Sequence, residues 1–405
     1  MRILYHHRTL GLGAEGVHVR AMVAAWRALG HEVRVEALAG EPAEAGSRRS
    51  ERWSALRRLI PDALYELAEL AYNVVARRSL ERAIAAFRPD IVYDRYNSYS
   101  TAAVTAARRF GIPCVLEVNA PVAYERSTYE HLRLRMPRLA ARYERRILLA
   151  ADHIVTVSAP LKRHLRAHYG LADAAISVLP NGADPVRFHP LLDARPLRAE
   201  LGLADGAVVI GFTGDARPWH GLHLLVESFL RLVHERRHVW LLILGGGGSS
   251  EPALRKMVAE RGLGARVRFI DRVPHGAVPA FISAMDIAVS ARATFYASPL
   301  KIVEYMAAGK AIVAPAMPNI GEMLDDGHSA LLFEPENVDA LTHALRRLVD
   351  DRALRERLGQ HARGQVEARL NWRANARRVT ELAAGLRARS DDGATIPATV
   401  AVRRR

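Results

Sequence analysis

Leu179-Pro-Asn-Gly-Ala-Asp-Pro-Val-Arg-Phe-His-Pro190 interrupts the chain near its middle. Three prolines and an Asn-Gly pair are turn and linker chemistry, because proline fixes φ and Asn-Gly accepts positive φ. The same pattern runs on either side of it. Upstream, apolar runs at 3–5, 33–35, 91–93, 114–118, 154–157 and 176–179 alternate with ten or more residues of helical periodicity. Downstream the pattern restarts, with runs at 208–212, 240–244, 267–270, 287–289, 312–314 and 331–333. Continuously apolar strands separated by helices read as parallel sheets covered on both faces. The stretch therefore predicts an α/β chain of two Rossmann-like, doubly wound domains, residues 1–185 and 186–369. Ligand crevices lie at the carboxyl ends of such strands, and two facing edges make a cleft.

A chain of 405 residues, 50% hydrophobic and 25% charged, is long enough for two ordinary cores. Its single cysteine, Cys114, has no partner, so a buried structural thiol in a reducing compartment is expected. Met1 to Tyr5 runs into His-His-Arg without a signal pattern, and no apolar run approaches the roughly 20 residues that span a bilayer. A cytoplasmic location is expected. The net charge of +15 suits nucleic acid, an anionic membrane face or phosphorylated substrates, and also fits a compositional excess of arginine in alanine-rich helices. Scattered arginines and the absence of a nucleic-acid module speak against nucleic acid. Beyond Asp350 the chain is helical and arginine-rich to about Arg389, and 390–405 reads as a disordered basic tail.

Four stretches carry the chemistry. Gly11-Leu-Gly-Ala-Glu-Gly16 follows the first strand, opens a helix to about Leu29 and fits G-x-G-x-x-G, with Glu36 about 20 residues on. Five residues separate strand from glycines, where a dinucleotide turn is immediate. A phosphate near the helix N-terminus, a plain flexible loop and a dinucleotide all remain open here. Gly214-Asp-Ala-Arg-Pro-Trp-His-Gly221 puts Arg217 and His220 after a strand, where cations bracket a diphosphate or decorate a surface loop around Trp219. Gly245-Gly-Gly-Gly248 permits close backbone approach to a ligand, or a mobile turn.

The fourth stretch, Ser298-Pro-Leu-Lys-Ile-Val-Glu-Tyr-Met-Ala-Ala-Gly309, is a short helix with Ser298 as N-cap, Pro299 in the first turn and Gly309 as its stop. Its first amides form an anion site. Glu304 shares a face with Leu300, Val303 and Ala307, so its carboxylate points with apolar residues and needs partners: vicinal hydroxyls of a sugar, or an internal ion pair.

Together these stretches resemble, in order and spacing, retaining glycosyltransferase family 4 of the GT-B fold, over nearly the whole ordered length. The resemblance adds Glu15 and His18 beside the N-terminal glycines and implies a C-terminal donor domain, an N-terminal acceptor domain and a helix at about 370–389 packing back on the latter. It implies transfer from a nucleoside-diphosphate sugar, retention at the anomeric carbon, and a glycan or lipid-linked acceptor. Glu304 matches the second glutamate of the family's E-x7-E motif, which binds the donor ribose; Tyr296 stands at the first. Asp215 and His220 stand where the phosphate-clamping loop commonly has Arg and Lys. They read as a subgroup pattern, with Arg217 and Lys301 as the cations.

The implied donor set is Gly13, Gly16, Gly214, His220, Gly245, Gly247, Arg272, Val273, Tyr296, Ser298, Pro299, Leu300 and Glu304, with His18 facing the donor and Arg217, Lys301, His18 and Glu304 as catalytic candidates. Acceptor candidates end N-domain strands: Arg95, Glu117 and Asn119, beside Tyr93 and Asp94, although an ion pair of Asp94 or Glu117 with arginine is the competing reading. No Asp-x-Asp pair or His cluster suits a metal, so no metal and no cofactor are expected. Residues 48–82 mix arginines with Trp53 and leucines and fit either an anionic membrane surface or an amphipathic helix packed on its own domain. A GT-B nucleotide-sugar epimerase or a non-catalytic binder, suggested by Tyr296, is the alternative; a dinucleotide oxidoreductase leaves the C-terminal stretches unexplained.

Overall fold

The computed structural model describes residues 1–9, 11, 13–37, 61–128 and 134–391. The expected tail beyond 391, and 48–60 of the basic segment, lie outside the described residues. The described chain forms two units, Met1–Pro180 with the chain from Trp372 onward, and Asn181–Asn371.

In the first unit, β1 (Arg2–His7), β2 (Glu32–Ala37), β3 (Ile91–Arg95), β4 (Cys114–Val118), β5 (His153–Thr156) and β6 (Ile176–Val178) make a parallel sheet in the order β2-β1-β3-β4-β5-β6. Ile3 stands level with Val33 on one side and Ile91 on the other. The strand order reverses at β1/β3. The crossovers carry α1 (Ala14–Ala28), α2 (Asp62–Phe87), α3 (Ala102–Arg109), α4 (Val122–Thr128), α5 (Pro137–Ala150) and α6 (Ala159–Tyr169). Local signals explain the ends of α6: Ser158 caps it by accepting from the Leu161 amide, and Gly170 closes it at φ +69°.

The second unit repeats the design. Strands β7 (Val208–Thr213), β8 (Val239–Leu244), β9 (Val267–Ile270), β10 (Ile287–Val289), β11 (Ala311–Pro315) and β12 (Leu331–Phe333) pair in parallel in the order β12-β11-β10-β7-β8-β9. Every residue of β7, β8 and β11 is buried, as a sheet covered on both faces requires. The switch point is β7/β10. The helices are α7 (Arg195–Glu200), α8 (Leu222–Glu235), α9 (Glu251–Glu260), α10 (Val278–Ser283), α11 (Leu300–Ala307), α12 (Val338–Asp350) and α13 (Arg352–Ala368), the last two capped by Asn337 and Asp351.

The final helix, α14 (Trp372–Asp391), belongs to the first unit, where the Trp26 indole N–H donates to the Ala376 carbonyl at 3.1 Å. Trp26, Tyr5 and Tyr93 meet edge to face beneath it, with centroids 5.0–5.8 Å apart. One expectation is corrected in the second unit. Ser298 does not cap α11; the cap position is Pro299, without a side-chain bond, because the Ser298 hydroxyl already accepts from the Asn181 amide at 2.9 Å. Gly309, at φ +64°, ends α11 in the way its left-handed conformation allows.

Candidate functional site

At the carboxyl edge of the second sheet, loops following β7, β8, β9 and β10 carry the donor candidates of this unit. Thr213 ends β7, and its amide and hydroxyl meet the Tyr305 hydroxyl of α11 at 2.7 and 3.0 Å. Gly214 follows at φ +129°. A Cβ there would come 3.0 Å from Lys301 Nζ, so glycine admits the lysine. The loop then folds around Asp215: Arg217 Nε donates to it at 2.6 Å, and His220 Nδ1 lies 3.2 Å from its carboxylate and 2.7 Å from its carbonyl oxygen. Burial raises the Asp215 pKa, but His220 and Arg217 outweigh it and hold the carboxyl at about 2. Arg217 also stacks over Trp219, its guanidinium carbon 5.1 Å from the ring centre. This aspartate thus organises both residues expected to hold phosphate.

The glycine run after β8 has a use in the protein itself. A Cβ at Gly245 would lie 2.7 Å from the Gly214 carbonyl, and one at Gly248 equally close to Ala216. The two loops are stitched by Gly214 N–H to Leu244 and Ala216 N–H to Gly247, at 2.8 and 2.9 Å. Gly247 has open space around its Cβ position. On the loop after β9, Arg272 is exposed and Val273 half-buried.

Lys301 enters this edge from the first turn of α11. Its ammonium rests 3.8 Å over the Phe212 ring and, among the described residues, makes no hydrogen bond or ion pair. Burial lowers its pKa to about 7, against the opposing pull of Asp215 and Glu304. Glu304, one turn on and 8% exposed, accepts from His275 Nε2 at 2.9 Å through Oε1. Tyr296 is buried on the loop before α11, its ring edge-on to Phe295. Asn319 ties that loop by donating to the Thr294 and Ala297 carbonyls at 2.9 and 2.7 Å.

The first unit holds Gly13, Gly16, His18, Arg95, Glu117 and Asn119. Glu117 is buried and fully engaged: Arg95 Nη1 and Asn119 Nδ2 donate to Oε1, while His18 Nε2 and the Tyr5 hydroxyl approach Oε2 at 3.1 and 3.2 Å. Burial alone would raise its pKa; His18 and Arg95 hold it well below the carboxylate range instead. The ion pair, one of the two readings of Glu117, is therefore present, and Asp94 takes His6 rather than arginine, at 2.6 Å. His18 further packs on Trp372, with ring centres 4.9 Å apart. Gly13 N–H donates to Glu15 Oε1, and Gly16 is required because a Cβ would strike the Gly11 carbonyl at 2.1 Å.

Known proteins bear on both halves. Residues 15–187 match the family described as Glycosyltransferase Family 4, and 193–365 match Glycosyl transferases group 1. Sucrose-phosphate synthase from Thermosynechococcus elongatus superposes with TM-score 0.73 at 19% identity, covering 96% of this chain and 99% of that one. Anabaena HepE in complex with UDP superposes with TM-score 0.72 at 17% identity, over 95% and 100%. The fold is GT-B, and each half of the chain matches a glycosyltransferase family model. Among curated sequences, the D-inositol 3-phosphate glycosyltransferases of Nocardia farcinica and Stackebrandtia nassauensis are 30% and 29% identical, over 59% and 70% of this chain. The matched region spans 53% and 65% of those relatives' own lengths.

In this GT-B protein the sequence reasoning missed four residues that build the carboxyl edge of the second sheet: His275, Tyr305, Asn319 and Asn181, whose side chain donates to the Ser298 carbonyl at 2.6 Å. Tyr305 adjoins Glu304 and Asn181 sits in the linker stretch, so position hinted at both. His275 and Asn319 reach the site across 29 residues and 22 residues of chain respectively, with no local signal.

Proposed function

We propose that this GT-B protein transfers a sugar from a nucleoside-diphosphate sugar to a glycan or lipid-linked acceptor, with retention at the anomeric carbon and without a metal. The observation that carries the reading is Lys301: a half-buried cation that, among the described residues, has no counter-charge bonded to it, set beside the Gly214 loop at the β7/β10 switch point, one turn from Glu304. Ligands of open α/β sheets bind at that point. An unpaired buried charge is costly, and a diphosphate would balance it. When the bond between anomeric carbon and phosphate oxygen breaks, negative charge grows on the diphosphate. Lys301 and the first amides of α11 stand ready to stabilise it. The acceptor oxygen then bonds the anomeric carbon on the same face, its proton passing to the departing phosphate oxygen. Glu304 Oε2 holds the ribose hydroxyls.

Structures of HepE hold UDP and UDP-glucose, which favours UDP as the first donor to try. The names of the curated relatives put phosphorylated polyols beside lipid-linked sugars in the acceptor panel. Titration calorimetry with UDP, GDP, ADP and NAD, on the wild type and Glu304→Ala, tests the reading. One nucleoside diphosphate should bind tightly, and the variant should lose at least tenfold. Binding of NAD alone, or of nothing, would overturn it. Tyr296 in place of a carboxylate sustains a second reading, an epimerase or a non-catalytic binder, which predicts nucleotide-sugar binding without transfer to any acceptor. EDTA should leave transfer unchanged. We further place the protein at the cytoplasmic membrane face: among the described residues no helix is long and apolar enough to cross a membrane, but Leu64, Leu67, Val74 and Val75 of α2 are exposed.

A further inference from the structure

We propose that His275 is a positioning residue that makes the donor site selective for a ribose, an inference that rests on the nucleotide reading above. His275 lies between β9 and α10, its ring packed beside Phe188 at 5.9 Å, and its Nε2 donates to Glu304 Oε1 at 2.9 Å. The second carboxylate oxygen, Oε2, makes no hydrogen bond among the described residues. Glu304 has a competing cation, because Lys301 precedes it by three residues on α11 and the two groups feel each other electrostatically. Side chains three apart on a helix are neighbours and readily pair. A carboxylate left loose would turn to the ammonium, removing an acceptor from the ribose and a positive charge from the diphosphate at once. The His275 bond prevents this: it pins Oε1, leaves Oε2 to accept from vicinal hydroxyls, and keeps Lys301 unpaired. A nucleotide lacking those hydroxyls then leaves Oε2 desolvated and unsatisfied, which is the strong form of discrimination.

The test is the ratio of dissociation constants for UDP, GDP and ADP against their 2′,3′-dideoxy counterparts, on the wild type, His275→Ala, His275→Gln, Glu304→Gln and the His275→Ala/Glu304→Gln double variant. The wild type should favour the ribonucleotide it binds by about tenfold or more. His275→Ala should bring that ratio to within about twofold, mostly by weakening the ribonucleotide, and His275→Gln, which keeps an N–H donor, should restore part of it. The double variant should bind no more weakly than Glu304→Gln, since both changes remove one interaction. Equal weakening of ribo and dideoxy ligands in His275→Ala, or losses that add in the double variant, would reduce His275 to loop packing and overturn the proposal. A ratio unchanged in Glu304→Gln would instead overturn the ribose role of Glu304, and a wild type that binds no nucleoside diphosphate would overturn both.

Discussion

Lys301 sets a pH dependence that the proposed chemistry makes measurable. With its pKa near 7 in the free protein, the amine is largely neutral at pH 8, yet a diphosphate wants the ammonium. Binding should therefore take up a proton, and the wild-type dissociation constant should rise by up to about tenfold per unit between pH 7 and 9. Lys301→Arg, charged throughout, should flatten that rise, so a calorimetric pH series on both proteins separates it from ionisation of the nucleotide. A wild type as flat as the variant would refute the role. For the unliganded fold the sign runs the other way: the unfolded chain holds the lysine proton up to its ordinary pKa of 10.5 while the native state releases it near 7, so stability gains with pH across that window. In the first unit Glu117 makes a different prediction. Glu117→Ala strands the Arg95 guanidinium beside Tyr5, and thermal unfolding should report a loss of about 3–5 kcal/mol.

The loops after β7 and β8 behave as one element, because the glycines of the second make room for the backbone of the first. Gly245→Ala combines a positive φ of +127° with a Cβ inside the Gly214 carbonyl, whereas Gly247→Ala meets only the strain of φ +78° in open space. Expected losses are more than about 3 kcal/mol for the first, with nucleotide binding abolished, against about 1–2 kcal/mol for the second, with binding kept. Denaturant melts and calorimetry of the pair check this; equal effects would mean that the glycines serve mobility rather than packing. Elements of this kind show what the sequence makes legible. Strand runs such as 208–212 and 240–244 could be read because burial on both faces leaves an unbroken apolar signature. The glycines after β8 read as close approach to a ligand or as a mobile turn, and the backbone they approach is that of the neighbouring loop. An internal pair was one of the two readings of Glu304, but the Asp215 network and the identity of His275 as that partner were illegible, since the groups meet through the turn of a loop or across another strand, and one-dimensional spacing does not encode side-chain direction. The Ser298 cap failed for the same reason, as its competitor, Asn181, comes from 117 residues away.

Across the whole molecule, charge and exposed apolar surface point to one more experiment. The net charge is +15, and among the described residues the first unit displays Leu64, Leu67, Val74 and Val75 on α2 at 48–60% exposure. Leu64 and Leu67 are three residues apart, Val74 follows Leu67 by seven, two turns on, and Arg78 follows Val74 by four and Val75 by three, so these residues lie along one side of the helix, with Arg77 beside them. An apolar stripe edged by arginines fits the interface of an anionic bilayer, where each basic group near the surface contributes about 1 kcal/mol and inserted side chains add the rest. The two contributions respond to different variables. Screening at about 1 M salt shortens the Debye length to about 3 Å, from about 10 Å at 0.1 M, and removes the arginine share while leaving the apolar share. Flotation with phosphatidylserine vesicles should thus recover the wild type at about 0.1 M salt and much less at 1 M, and neutral phosphatidylcholine vesicles should recover little. Leu67→Glu/Val75→Glu should abolish flotation without lowering the melting temperature, because neither side chain is in the core. If that variant floats like the wild type, the stripe is not the contact, and if neither floats at low salt, an acceptor held in a membrane loses its support.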